Sequence, residues 1–260
     1  IKKIKRANPR AKIIVERIGT HEQFNVLKLA GCDLFQGFFF SRPEMITYKG
    51  VEPSKLTVFD LLRFTAKETL CFKEVHQRVA RDVAITARVL KLANARSGKA
   101  NLVITSISQA VIYLGEDTIR QFVRVLAISE LGVEKPTELT KLALTRAQFM
   151  SLILEQNNKE LTEQGYLVGL FSVLDAILDA ELKDIVKEFT LDAAISDALL
   201  LESGILGNCL SLIKEFELDN IDEAMVHLAN INSELHIGDI FNFLLDAVLY
   251  SDDIIEAIAE

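Results

Sequence analysis

Apolar positions along this chain follow two different rhythms. Near the start they come in short β-branched and aromatic runs, and from Leu56 onward they recur at the three-and-four spacing of helices. Lys12-Ile13-Ile14-Val15-Glu16-Arg17-Ile18 predicts a short buried strand. Thr20 with Gln23 is a capping box for a helix whose face is Phe24, Leu27 and Ala30, and Gly31 ends it. Asp33 to Phe40 predicts a second strand, closed by Ser41-Arg42-Pro43. The order β–α–β demands a parallel neighbour and a larger sheet than this stretch can supply. Met45 to Lys55, with Gly50 and Pro53 and no period, predicts an interdomain joint.

The remainder predicts helices throughout. Val58, Leu61, Leu62 and Thr65 make one face, Ile85, Val89, Leu92 and Ala93 a second, Ile119, Phe122, Val123, Leu126 and Ala127 a third, and Ile240, Phe243, Leu244, Ala247 and Val248 a late one. Ser106 with Gln109 and Asn220 with Glu223 are capping pairs, Gly115 closes a helix after Leu114, and Pro136 suits a first helical turn. The most apolar long stretch runs from Gly165 to Leu178. Its Leu167, Leu170, Phe171, Leu174 and Leu178 fall at i, i+3, i+4, i+7 and i+11, so it predicts one central helix wrapped by others.

Composition narrows the class. Half of the 260 residues are hydrophobic, Trp is absent, and Pro is limited to four and Gly to twelve, which suits long helices with short joints. No uninterrupted apolar run reaches the roughly 18 residues that span a bilayer. Cys32, Cys71 and Cys209 lack the paired spacing of zinc sites or disulfide frameworks, so reduced thiols and a cytoplasmic location are expected. The Lys-rich start has no signal-peptide core behind it and suggests further sequence upstream. The net charge of −8 hides an asymmetry: residues 1–159 sum to +11 and residues 160–260 to −19. Two oppositely charged parts that dock on each other or on a neighbouring copy fit this better than a nucleic-acid surface, because the basic residues carry no interleaved aromatic platforms.

Two resemblances add function to these patterns. The run Gly169-Leu170-Phe171-Ser172-Val173-Leu174-Asp175 resembles the metal-binding helix of the HD phosphohydrolase superfamily, with Ser172 where that family has His and Val173 where it has Asp. A hydroxyl and an isopropyl group lack the lone pairs and charge that hold a catalytic metal. The degenerate dyad, together with Asp82, Leu90-Lys91-Leu92-Ala93-Asn94-Ala95, Ile104-Thr105-Ser106-Ile107, Ala110 and Leu114-Gly115, resembles the HDOD (HD-related output) domain. Asn94 is expected after the end of its helix, in a left-handed conformation, pinning the next loop. Leu144 to Phe149 resembles the helix that bears the first histidine of HD enzymes, without the histidine. Gly31 to Pro43 resembles the final strand of EAL domains, TIM-barrel phosphodiesterases that hydrolyse cyclic di-GMP with divalent metals. The positions matching that family's active-site acid and amide are Glu16 and Gln36, while Gly19 replaces a second acid and the other metal-binding strands do not occur in this chain. Glu16 and Gln36 serve as polar contacts at a barrel edge as readily as they serve as residual ligands.

No other constellation competes. His21, His76, His227 and His236 share no i, i+3 or i+4 spacing. His76 beside Glu74 and His227 near Asp222 and Glu223 read as surface helix pairs. Ser172 has no base visible in the sequence. The resulting expectation is a mainly α chain: residues 1–44 a C-terminal remnant of an EAL domain, 45–55 a linker, and 56–260 a helical HDOD domain. No catalytic, cofactor-binding or metal-binding residues are expected, and the chain is expected not to be an enzyme. It would act in cyclic di-GMP signalling by contact with a protein partner, its own EAL domain or a second copy, with no membrane and with nucleic acid disfavoured. The alternatives are part of a phosphodiesterase that works only in a longer chain, an HD-type metal hydrolase, or a nucleic-acid binder.

Overall fold

The computed structural model describes residues 1–37, 56–65, 79, 83–96, 104–132, 135–189, 191–231 and 234–259. Its first part consists of α1 (Lys2–Ala7), β1 (Ile14–Val15), α2 (His21–Leu29) and β2 (Leu34–Phe35). The strands are parallel, with Ile14 opposite Leu34 and Val15 opposite Phe35. α2 begins where its sequence dictates: Thr20 Oγ1 accepts from the Gln23 N–H at 3.2 Å, and Gln23 Oε1 accepts from the Gly19 N–H at 2.9 Å. Asp33 ties the unit together by accepting from the Ile13 N–H at 2.8 Å and pairing with Lys5 of α1. The Lys5 hydrogen bond, then that of Ile13, holds the Asp33 carboxyl below its usual pKa. Gly37 is fixed by close approach, since a Cβ there would lie 2.1 Å from the Ile18 carbonyl oxygen.

Both expected strands occur, with two residues of each in the ladder among the described residues, and Ile14, expected to be buried, is 58% exposed. Among the described residues each strand has a single neighbour. α1 was not expected at all, because six residues carry too few apolar positions to reveal a period. The joint at 45–55 and the end of the second run, from Phe38, lie outside the described residues, as do Asp82, His76 and Cys71.

The second part is entirely helical among the described residues: α3 (Leu56–Thr65), α4 (Val83–Arg96), α5 (Ile107–Leu114), α6 (Glu116–Leu131), α7 (Thr137–Asn157), α8 (Thr162–Phe171), α9 (Leu174–Leu178), α10 (Leu182–Phe189), α11 (Ala193–Leu201), α12 (Gly204–Glu217), α13 (Ile221–Ile231) and α14 (Ile237–Ala259). A mainly α chain with a short β–α–β segment is therefore the architecture. One continuous core runs from Phe59 in α3 to Ile254 in α14, and α7 lies at its centre against α8, α12 and α14. The expected faces of α3, α4 and α6 all point into it. Ser106 caps α5, with the Gln109 N–H donating to its hydroxyl at 3.1 Å. Gly115, at φ 87°, both closes α5 and opens α6.

Two further expectations change. Asn94 lies inside α4, which continues past it to Arg96, and its side chain reaches Ile104. Its Oδ1 accepts from the Ile104 N–H at 2.8 Å and its Nδ2 donates to the Ile104 carbonyl at 2.9 Å, so the amide pairs with backbone as a neighbouring strand would. Asn220 stands directly before α13 as expected, its carbonyl accepting from the Ala224 N–H at 3.0 Å, and its side-chain amide also donates to Glu215 at 2.8 Å, tying back to the preceding helix. Ala193–Glu217 is long and apolar enough by composition to cross a bilayer, contrary to the reading of the sequence. Left-handed Glu202, at φ 51°, divides that stretch into α11 and α12, and Ile195, Leu199, Leu206 and Leu210 are buried in the common core.

The contact between α7 and α8 depends on the absence of a side chain at Gly169. A Cβ there would fall 2.5 Å from the Ala147 nitrogen and 2.6 Å from its Cα. Gly169→Ala should therefore force the two helices apart and cost about 1–3 kcal/mol, read as a lower midpoint in urea unfolding. Gly238→Ala is the control, because a Cβ at that position meets nothing within 4 Å, and it should be neutral or slightly stabilising.

Candidate functional site

The stretch expected to form one central helix is two. α8 ends at Phe171, and Ser172 and Val173 form a break before α9 starts at Leu174. Serine competes with the helix for its own carbonyls, and here Ser172 Oγ donates to the Gly169 carbonyl at 2.7 Å while the Ser172 N–H reaches the same oxygen at 3.4 Å. Val173 has φ −124° and ψ 11°, outside the helical range. The break places the two dyad positions in different surroundings. Val173 is 1% exposed and packs in the apolar core, whereas Ser172 faces α7.

What Ser172 faces is Arg146. Its Nη1 donates to Ser172 Oγ at 3.0 Å, while Nε and Nη2 donate to the two carboxylate oxygens of Glu217, at the end of α12, at 2.8 and 2.6 Å. This is the two-point, coplanar pairing that guanidinium geometry favours. Arg146 is only 6% exposed and Glu217 is partly covered. Asp175 of α9 is nearby; burial raises its carboxyl pKa, and the Ala176 N–H, Lys214 and Arg146 only partly oppose that. Its Oδ1 accepts from the Ala176 N–H at 2.8 Å.

A divalent ion does not fit this arrangement. The Ser172 hydroxyl already gives its proton to Gly169 and accepts from Arg146, and a fixed guanidinium stands where the ion's charge would be needed. Among the described residues, no group of three or more His, Cys, Asp and Glu side chains is placed to share a metal. His227 is correspondingly reassigned: its Nδ1 is 3.0 Å from Asn208 Oδ1 on α12, so its close partner is an amide and not the carboxylates beside it in sequence.

Glu16 and Gln36 lie apart from Ser172 in the chain's first part, where the structure brings them together. The Gln36 N–H donates to the Val15 carbonyl at 2.7 Å and its carbonyl accepts from the Ile18 N–H at 3.1 Å. Gln36 is thus stitched across from Glu16, just past the carboxyl ends of two adjacent parallel strands. Both side chains are exposed.

A second buried charge was also missed in the sequence. Arg124 of α6 is 2% exposed; its Nε and Nη2 donate to the Thr65 carbonyl, the last of α3, at 3.1 and 2.7 Å, and its Nη1 pairs with Glu163 at 2.9 Å. The available signal was an arginine inside an apolar stripe: Arg124 sits between Val123 and Val125, and Arg146 lies at helical spacing from Ala143 and Met150. A charge in such a place needs a partner, but spacing alone does not name it.

The HDOD domain family matches residues 53–200. A Vibrio cholerae protein named cyclic di-GMP phosphodiesterase CdgJ is 34% identical over 246 residues, covering 94% of this chain and 56% of its own. Bacillus subtilis YuxH, which carries no functional name, is 26% identical over 247 residues, covering 94% and 59%. The chain thus spans a little over half the length of these curated relatives. A solved Geobacter sulfurreducens HDOD domain protein superposes with a TM-score of 0.57 at 16% identity, over 79% of this chain and 93% of that one. A Shewanella amazonensis protein provisionally named a phosphohydrolase does so with 0.55 at 16% identity, over 78% and 93%. The expectation that the chain is not an enzyme is overturned here. It rested on the lost dyad at Ser172 and Val173 and on the incomplete EAL set around Glu16 and Gln36, whereas a relative matching nearly the whole chain is named a phosphodiesterase.

Two outcomes follow from the geometry around Arg146. Arg146→Met leaves Glu217 without its cation, and Glu217→Gln leaves the buried guanidinium without its anion; each should cost about 3–5 kcal/mol, and the Arg146→Met, Glu217→Leu double variant should recover most of it. Denaturant unfolding of the three variants measures this. Asp175 has its folded pKa raised above the ordinary 3.8, mainly by burial. The folded state therefore holds that proton more tightly, and the associated stability is present at acid pH and lost as pH rises from 3.8 through the folded value. Asp175→Asn should raise the thermal midpoint at neutral pH and leave it unchanged below about pH 4.

Proposed function

Since the chain belongs to the HDOD domain family, we propose that it forms the C-terminal portion of a cyclic di-GMP phosphodiesterase, in which the helical domain regulates a catalytic barrel by contact. The observation that carries this reading is the position of Glu16 and Gln36, each directly after the last residue of one of two neighbouring parallel strands. That end is where barrels of parallel strands gather their catalytic side chains. Support comes from the Vibrio cholerae relative, whose similarity runs through both parts of this chain and whose length extends well beyond it.

In this reading residues 1–44 are the last strands of an EAL barrel, 45–55 the linker, and 56–260 the regulatory HDOD domain, in the cytoplasm. The division is supported by the cores: Ile18 and Cys32 are buried within the first part, and neither belongs to the continuous core of the second. Residues 201–259, beyond the family match, contribute Leu206, Leu210, Leu228 and Ile254 to that same core, so they complete the domain. Glu16 and Gln36 would present a carboxylate and an amide to the substrate's phosphodiester or to groups that hold it. The remaining catalytic groups would come from other strands of the barrel. The HDOD domain's part is mechanical. A body cross-braced by Arg146 and Arg124 transmits a push from one face to another without local collapse.

The test is cyclic di-GMP hydrolysis by the full-length protein with Mg²⁺ or Mn²⁺. Glu16→Gln and Gln36→Ala should each lower kcat by about tenfold or more, with helical circular dichroism unchanged. Removal of residues 56–260 should change the rate while preserving turnover. Full activity in both point variants would refute the assignment of these residues, and a rate insensitive to the truncation would refute regulation by the helical domain.

A further inference from the structure

The ladder between β1 and β2 changes register at its end. The Gln36 N–H donates to the Val15 carbonyl at 2.7 Å, so in a regular parallel pair the Gln36 carbonyl would take the Arg17 N–H. It takes the Ile18 N–H instead, at 3.1 Å. Glu16 and Arg17 therefore stand together opposite the single residue Gln36. This is a β-bulge, a device found at barrel rims and beside active sites, where it re-aims side chains. Gly37 lies against the backbone of Ile18, so the chain beyond the bulge is closely held.

Arg17 makes the bend, with φ 58°, in the left-handed region that ordinarily falls to glycine. The other described non-glycine residues of positive φ are Asp179, Glu202 and Asp219, at or just past the ends of α9, α11 and α12, where left-handed turns are common. Arg17 ends no helix. Glycine would make the same bulge without strain, so the guanidinium is what this position adds.

Its surroundings say what that cation can meet. Arg17 opens onto the same cavity as Glu16, Glu22 and Gln23, and it is the one cation among the described residues lining it. A phosphodiester is an anion, which two carboxylates alone would repel. A guanidinium offers it positive charge and two parallel N–H donors. We propose that Arg17, set beside Glu16 by the bulge, binds the phosphodiester of the substrate. The inference rests on the phosphodiesterase reading of Glu16 and Gln36 and adds a residue that governs affinity.

The experiment uses the full-length protein, following cyclic di-GMP hydrolysis in Mg²⁺ and cyclic di-GMP binding by titration calorimetry. Arg17→Ala removes the charge and keeps the left-handed strain, whereas Arg17→Gly removes both. Each should raise KM about tenfold or more, with a smaller change in kcat. Arg17→Lys, which keeps the charge without the two-point geometry, should fall between them and the wild type. The thermal midpoint should be higher in Arg17→Gly than in Arg17→Ala, since glycine relieves the backbone. A KM raised in only one of these two variants would trace the effect to the bulge's shape and overturn the proposal. So would an unchanged KM in both while Glu16→Gln still lowers kcat, a result that leaves the phosphodiesterase reading standing. Binding without turnover, weakened about tenfold by Arg17→Ala, would instead remove that reading and keep Arg17 as the phosphodiester's partner. A full-length protein that neither binds nor hydrolyses cyclic di-GMP would remove both.

Discussion

The guanidinium of Arg146, on α7, is held by groups from two distant segments: the α8–α9 break at Ser172 and the end of α12 at Glu217. Burying that charge is tolerable because both oxygens of Glu217 and the Ser172 hydroxyl satisfy it. Much of the local architecture follows from this requirement. Ser172 can reach Arg146 only because its helix breaks there, and α8 can lie close enough only because residue 169 has no side chain. Ser172, which by resemblance stands where HD phosphohydrolases have a metal-binding histidine, here meets a cation that belongs to the protein.

The same principle operates across the whole helical domain. The basic and acidic parts of the sequence meet inside one molecule, through Arg124–Glu163, Lys135–Asp179, Lys141–Asp252 and Arg146–Glu217. Arg124 and Arg146 are deeply buried and specify which helices adjoin. The Lys pairs are more open to water and contribute less. Charge asymmetry along the chain is therefore in part an instruction for folding, and the acidic surface of α14 is the portion that internal pairing leaves over.

Under the proposed reading these braces would matter for regulation: a domain whose helices are fixed by packing and by buried ion pairs would move as a body and deliver at one face a displacement received at another. The β–α–β unit is different in kind. Its two strands are short and half exposed, its cohesion rests on Asp33 and a few backbone bonds, and Glu16 and Gln36 follow directly on the strands' last residues.

Helix type, the inward faces of α3, α4 and α6, the capping of α2 and α5, and the β–α–β order with parallel strands were all legible in the sequence, because periodicity and caps are local properties. The HDOD resemblance was legible for the same reason, as a succession of short motifs in order. The break at Ser172–Val173, the placement of Asn94 inside α4 and the partners of Arg146 and Arg124 were not. Each depends on which side chain arrives from a distant helix, and residues separated by 26, 71 or 59 positions leave no mark on local pattern. The sequence determined that a charge must be neutralised within an apolar helix. Only the tertiary structure decided that Glu217 and Ser172 do so, because that choice is made by the packing of helices in space and not by spacing along the chain.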